Sequence, residues 1–225
     1  MSTITLDGAS GFLAKAKHPH AGVLLLPMIY GVNRFVQDYA ASLAERGLTT
    51  FVWDPYPDET LPEGRDAALN LAKELRDGPS LDSMAICIDF LMGELRLDQI
   101  GTIGFCLGGR YCLMLAAKET RIGACAAVYP TIEMPRRANQ DEDAVLRAGE
   151  IQCPVQLVVP GHDHVTNAET YERLQTALER RSAYTLVQRH PEAQHGFMHT
   201  PDPANALATK RSRPVLSAFL EACLT

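Results

Sequence analysis

Apolar residues fall into two rhythms along the 225-residue chain, short continuous runs and longer stretches of helical periodicity, and the two alternate. The run 21–27 (AGVLLLP) predicts a strand buried on both faces and stopped by proline. From Asn33 to Arg46 the apolar positions Phe35, Val36, Tyr39, Ala40 and Leu43 share one helical face. Asn33 is suited to cap the start and Gly47 to end the helix. LTTFVWD (48–54) predicts the next strand, closed by Pro55 and Pro57. Helices are expected over roughly 63–77 and 80–96, separated at Gly78-Pro79. Strand 99–105, helix 107–118 and strand 123–130 continue the alternation. Strand 153–161, helix 167–181 and strand 182–188 follow, then helix over 203–223 that Pro214 is expected to divide. The first residues, 3–14, fit a small hairpin turning at Asp7-Gly8.

Alternation of this kind predicts an α/β fold, a mostly parallel central sheet with helices on both faces, in one domain over 1–225. The stretch 131–150 breaks the rhythm. It is polar and carries both charge signs, and it reads as a connecting loop rather than a cap over a site.

The charge balance narrows the possible partners. The net charge is −6, and the basic doublets Arg136-Arg137, Arg180-Arg181 and Lys210-Arg211 are isolated, so neither nucleic acid nor an anionic membrane is an expected partner. No apolar run is long enough to span a bilayer, and the N-terminus lacks a secretory pattern. None of the six cysteines forms C-x-x-C and several lie in apolar runs, which points to free thiols in a cytoplasmic setting.

The segment richest in chemistry is Gly104-Phe105-Cys106-Leu107-Gly108-Gly109, of the form G-x-C-x-G-G between a predicted strand and a predicted helix. A nucleophile elbow needs that context, with small residues two before and two after its tip. A helix start aimed at Cys106 favours the thiolate, and the N–H of Leu107 can receive an oxyanion. A glycine-rich turn around a buried cysteine has the same local pattern.

Partners for the thiol come later in the chain. Asp163 follows a strand and precedes a helix, and His195 lies between the last strand and the last helix. The order nucleophile, acid, histidine is that of an α/β-hydrolase. Asp163 is also a plausible turn former, and His190 and His199 are alternative bases. Asp54 ends a strand before the nucleophile and reads as structural. His162 and His164 flank Asp163, but adjacent ligands fit no regular metal geometry, so no metal is expected.

With these residues placed, the chain resembles the dienelactone hydrolase family over nearly its whole length. The likeness rests on LLPMIYGVN, WDPY, GFCLGG, GHDHV and HGF, in that order. It implies the α/β-hydrolase fold, a Cys106–Asp163–His195 triad and a second oxyanion donor at Ile29. It implies hydrolysis of a small-molecule ester or lactone without a cofactor, by a monomer or homodimer. Around the implied pocket stand Met28, Tyr30, Arg65 and His199. Family members active on dienelactone carry a glutamate, which contacts the resting thiol, where this chain has Met28. They hold the substrate carboxylate with arginines, where this chain has His199 and, shifted by one position, Arg65. The expectation is a more apolar pocket and a neutral or weakly charged substrate rather than dienelactone itself. An acyltransferase or lyase on the same fold, and a non-catalytic binding protein, are the competing classes.

Overall fold

The computed structural model describes residues 2–200 and 202–224. Among the described residues, eight strands form one sheet in the order β1-β2-β4-β3-β5-β6-β7-β8. The hairpin β1 (Ser2–Leu6) and β2 (Ala9–Ala14) is antiparallel and turns at Asp7-Gly8, where Gly8 takes φ +85°. From β3 (Ala21–Leu26) and β4 (Leu48–Trp53) through β5 (Ile100–Phe105), β6 (Ile122–Val128), β7 (Val155–His162) and β8 (Thr185–Gln194), neighbours are parallel. β3, β4 and β5 are buried at every position, which is why each reads as a continuous apolar run rather than an alternating one.

Helices cover both faces. On one face lie α1 (Arg34–Ala44) and α7 (Pro203–Cys223), packing Val36, Tyr39, Leu43, Leu216 and Leu220 against the sheet. The other face carries α2 (Arg65–Glu74), α3 (Asp77–Asp89), α4 (Leu107–Lys118), α5 (Ala144–Ala148) and α6 (Ala168–Glu179). Asn33 caps α1, its side chain accepting from Val36 N at 3.3 Å, and Gly47 then takes φ +87°. Among the described residues no helix is long and apolar enough to cross a membrane. All six cysteines are free.

Three expectations are corrected. Gly78-Pro79 do not separate two helices: α3 begins at Asp77, so Pro79 sits in its first turn, where a missing N–H costs no helical hydrogen bond. A π-helical turn, Phe90–Glu94, ends that stretch. Pro214 does not divide the last helix either, and α7 runs through it. Burial of Leu216 and Leu220, worth roughly 1.5–3 kcal/mol each, offsets the lost hydrogen bond. Finally, 131–150 is more than a connection. Apart from α5 it is irregular, but Thr131, Glu133, Arg137, Asn139 and Gln140 wall the cavity that Cys106 also lines.

Candidate active site

Parallel strands end together, so the loops after β3, β5, β6, β7 and β8 meet along one edge of the sheet. The turn after β5 is the sharpest. Cys106 takes φ +57°, a conformation that a side chain adopts only under constraint. Its N–H donates to Val128 O at 3.1 Å, while its carbonyl accepts from Arg110 N at 3.2 Å and Thr131 N at 2.9 Å. Two glycines make this turn possible. A Cβ on Gly104 would lie 2.1 Å from Gly108 O, and one on Gly108 would lie 2.1 Å from Leu26 O. The start of α4 is thereby pressed against the end of β3.

The turn after β7 presents Asp163. Its Oδ1 accepts from Val165 N at 2.7 Å and Thr166 N at 2.9 Å, which fixes the carboxylate on its own turn. His195 directly follows β8, and its Nδ1 lies 2.9 Å from Asp163 Oδ2 and 3.1 Å from Oδ1. Both side chains are buried. Tyr171 Oη, from α6, donates to Asp163 Oδ2 at 2.8 Å.

The Cys106 sulfur is oriented toward Thr131, with Sγ and Oγ1 3.1 Å apart. His195 Nε2 is buried and makes no hydrogen bond in this resting geometry, yet the ring is near enough to act on the sulfur's charge. Burial pushes the thiol pKa up. The His195 imidazole, the Thr131 hydroxyl and the Leu107 N–H outweigh that and bring it below the ordinary thiol value. For His195 burial lowers the pKa, but Asp163 and Cys106 raise it to about 10. Asp163, pushed up by burial, is held below its usual range by His195 and the two backbone N–H groups. Every direction agrees with a thiolate–imidazolium–carboxylate row.

A cavity of about 330 Å³ opens over the sulfur, enough for a small molecule. Met28, Ile29 and Tyr30 line it from the loop after β3, with Arg65, Leu107, His195 and His199. Met28 is fully buried. His199 packs against Phe35 and Tyr30 with ring centroids 5.7 and 6.2 Å away, and burial together with nearby His195 lowers its pKa to about 4. The lining is less apolar than expected, because it also holds Arg110 and Arg137. Both are neutralised: Arg110 pairs with Asp77, and Arg137 with Glu133. Arg65 is exposed and forms no ion pair among the described residues.

The other candidates fall elsewhere. His190 is buried within β8, its Nε2 2.7 Å from Ser212 Oγ. His162 is exposed and 3.9 Å from Glu192, whereas His164 lines the cavity with its ring 5.9 Å from that of His195. Asp54 Oδ1 accepts from Tyr56 N in its own turn. Among the described residues no group of three His, Cys, Asp or Glu side chains is placed to hold a metal. Thr131, Thr166 and Tyr171 had no sequence motif to mark them. For Thr131 one positional signal existed: it follows the strand beside the elbow strand.

Comparison with known proteins agrees with this architecture. The profile of the dienelactone hydrolase family matches residues 9–224. Carboxymethylenebutenolidase 2 of Cupriavidus pinatubonensis is 30% identical over 217 residues, covering 93% of this chain and 89% of that protein. Carboxymethylenebutenolidase of Rhodococcus opacus is 26% identical over 179 residues, covering 78% and 69%. The fold is similar to that of a dienelactone hydrolase-like promiscuous phosphotriesterase from metagenomic libraries. Its TM-score is 0.76 at 19% identity, covering 99% of this chain and 97% of the other.

Proposed function

The chain belongs to the dienelactone hydrolase family and is a hydrolase, and on that footing we propose that it cleaves a small ester or lactone with Cys106 as nucleophile, His195 as proton carrier and Asp163 as its orienter. What supports this is one juxtaposition: a thiol at the tip of a strained turn beside a buried His195–Asp163 pair, with Cys106 and His195 facing one cavity.

In the proposed cycle the Cys106 thiolate attacks the acyl carbon, a C–S bond forms, and the carbonyl electron pair moves onto oxygen. The N–H groups of Leu107 and Ile29 hold that oxyanion, each such donor contributing on the order of 10²–10³ in rate. Collapse expels the alkoxide or enolate, which takes the proton from His195. A water molecule, giving its proton to His195, then attacks the thioester and restores the thiolate. Asp163 stays ionised and holds the imidazole through Nδ1.

The cavity's charges favour a neutral or weakly charged acyl substrate. Arg110 and Arg137 are already paired, His199 is held neutral, and the His195 imidazolium faces the thiolate, which leaves Arg65, at an exposed position, as the unpaired arginine of the lining among the described residues. A carboxylate bound beside Met28 and His199 would be desolvated without a charged partner there. The test is hydrolysis of an ester and lactone panel by wild type and by Cys106→Ala. Turnover is expected on neutral esters or lactones and lost in the variant. Undiminished turnover by Cys106→Ala defeats the nucleophile assignment, and a dienelactone carboxylate as the best substrate defeats the substrate class.

A further inference from the structure

We propose that the Thr131 hydroxyl is a catalytic group of this site, the directional hydrogen-bond donor that holds the Cys106 thiolate at rest. The proposal rests on the reading of Cys106 as the nucleophile.

Three observations lead to it. First, Thr131 Oγ1 lies 3.1 Å from Cys106 Sγ, and the sulfur is its only hydrogen-bond partner among the described residues. Thr131 is 7% exposed, so its proton has little access to solvent except through the cavity. Second, the neighbouring imidazole does not take this role. Among the described residues His195 Nε2 has no partner at hydrogen-bond geometry, so the imidazole favours the thiolate from nearby while the closest polar side-chain atom on the sulfur is the Thr131 hydroxyl. Third, the position is built rather than incidental. Thr131 N donates to Cys106 O at 2.9 Å. On either side, Thr166 Oγ1 donates to Pro130 O and accepts from Ile132 N, each at 2.8 Å. Thr166 N in turn donates to Asp163 Oδ1. One hydrogen-bonded frame therefore fixes thiol, hydroxyl and acid relative to each other.

A hydrogen count decides the direction of the bond. A hydroxyl has one proton and two acceptor sites, whereas a thiolate can only accept. With the sulfur ionised, the Thr131 proton is used and nothing is left over. With the sulfur neutral and donating, the Thr131 proton has no protein acceptor in reach. A buried donor without a partner is costly, so the hydroxyl donates to the sulfur, and because a thiolate accepts more strongly than a neutral thiol, the bond favours the ionised form. As the sulfur attacks, its charge passes to the carbonyl oxygen and the Thr131 bond weakens. The hydroxyl thus makes the thiolate abundant near neutral pH and makes each thiolate somewhat less nucleophilic.

The test is the pH dependence of iodoacetamide alkylation, mapped to Cys106 by mass spectrometry, in wild type, Thr131→Val and Thr131→Ser. Valine keeps the shape and removes the donor. Its alkylation midpoint is expected to rise by about one pH unit or more, giving roughly tenfold slower labelling on the acid side, with serine near wild type. An unchanged midpoint in Thr131→Val, or an equal rise in Thr131→Ser, overturns the proposal. If Thr131→Val does not fold, Thr131→Ala is read in the same way. The readout is the thiol itself, without substrate. A hydrolytically competent Cys106→Ala protein would therefore remove the nucleophile reading separately, leaving the alkylation result to judge the hydrogen bond.

Discussion

Tyr171 Oη donates to Asp163 Oδ2 at 2.8 Å, the same oxygen that lies 2.9 Å from His195 Nδ1. Tyr171 is buried, with 1% exposure, so this bond is shielded from water and steadies the carboxylate from the side opposite its own turn. Burial, followed by Asp163, keeps the phenol far from ionising, so it remains a donor at every working pH.

Removing that donor gives the first prediction. Tyr171→Phe leaves Asp163 with its backbone bonds and His195 but less stabilisation of its charge. The acid limb of hydrolysis should move to higher pH, with a loss at the optimum of about tenfold or less. A pH–rate profile identical to wild type would show that Tyr171 only packs.

The buried pair of Arg110 and Asp77 fastens the elbow helix to the cavity wall. Arg110 Nη1 and Nη2 donate to the two Asp77 oxygens at 2.7 and 2.8 Å, and Arg110 Nη2 also reaches Glu142 O. Glu142 N returns a bond to Asp77. Asp77→Ala leaves a buried guanidinium unpaired and should cost about 3–5 kcal/mol in denaturant unfolding. Removing both charges, as Asp77→Ala with Arg110→Met, should recover part of that loss.

His199 and His195 tilt stability in opposite directions. The folded protein holds His199 neutral to about pH 4, whereas the unfolded chain protonates it near its ordinary 6.5. Stability from this residue is intact above about pH 6.5 and falls as the pH drops toward about 4, by up to about 3 kcal/mol. His199→Gln should flatten that acid-side decline in melting temperature. His195, raised to about 10, contributes fully below about pH 6.5 and loses its contribution as the pH climbs through about 10. An acid-side slope unchanged in His199→Gln contradicts the assignment.

Gly108 separates the start of α4 from the end of β3. The Cβ of Gly108→Ala would meet Leu26 O at 2.1 Å and Pro27 O at 2.6 Å, and backbone atoms have no rotamer by which to yield. The helix start must shift, carrying the Leu107 N–H with it. A destabilisation of about 1–3 kcal/mol is expected, with a hydrolytic loss larger than unfolding accounts for. Full activity in a folded Gly108→Ala protein would show that this contact relaxes freely.

Much of this site could be read along the chain because the constraints that make it are local. The elbow needs glycine at 104 and 108, since any side chain there meets backbone. The turn holding Asp163 is built from Asp163 and its own next residues. Where the reading missed, the deciding contacts were distant. Pro214 has the local signature of a break, but Leu216 and Leu220 are clamped to the sheet. The polar stretch 131–150 resembles a surface loop, yet Arg110, from another element, holds Glu142 and draws the segment over the cavity.

Periodicity and side-chain size were enough to determine the alternating strands and helices, the elbow and the order of thiol, acid and imidazole, because each depends on neighbours within a few residues. Tertiary structure alone decided that Thr131 meets the sulfur, that Tyr171 meets the acid and that Asp77 neutralises Arg110. A hydrogen bond between remote side chains depends on how loops converge at a sheet edge, and an isolated threonine, tyrosine or aspartate has no local pattern that records where its partner will be.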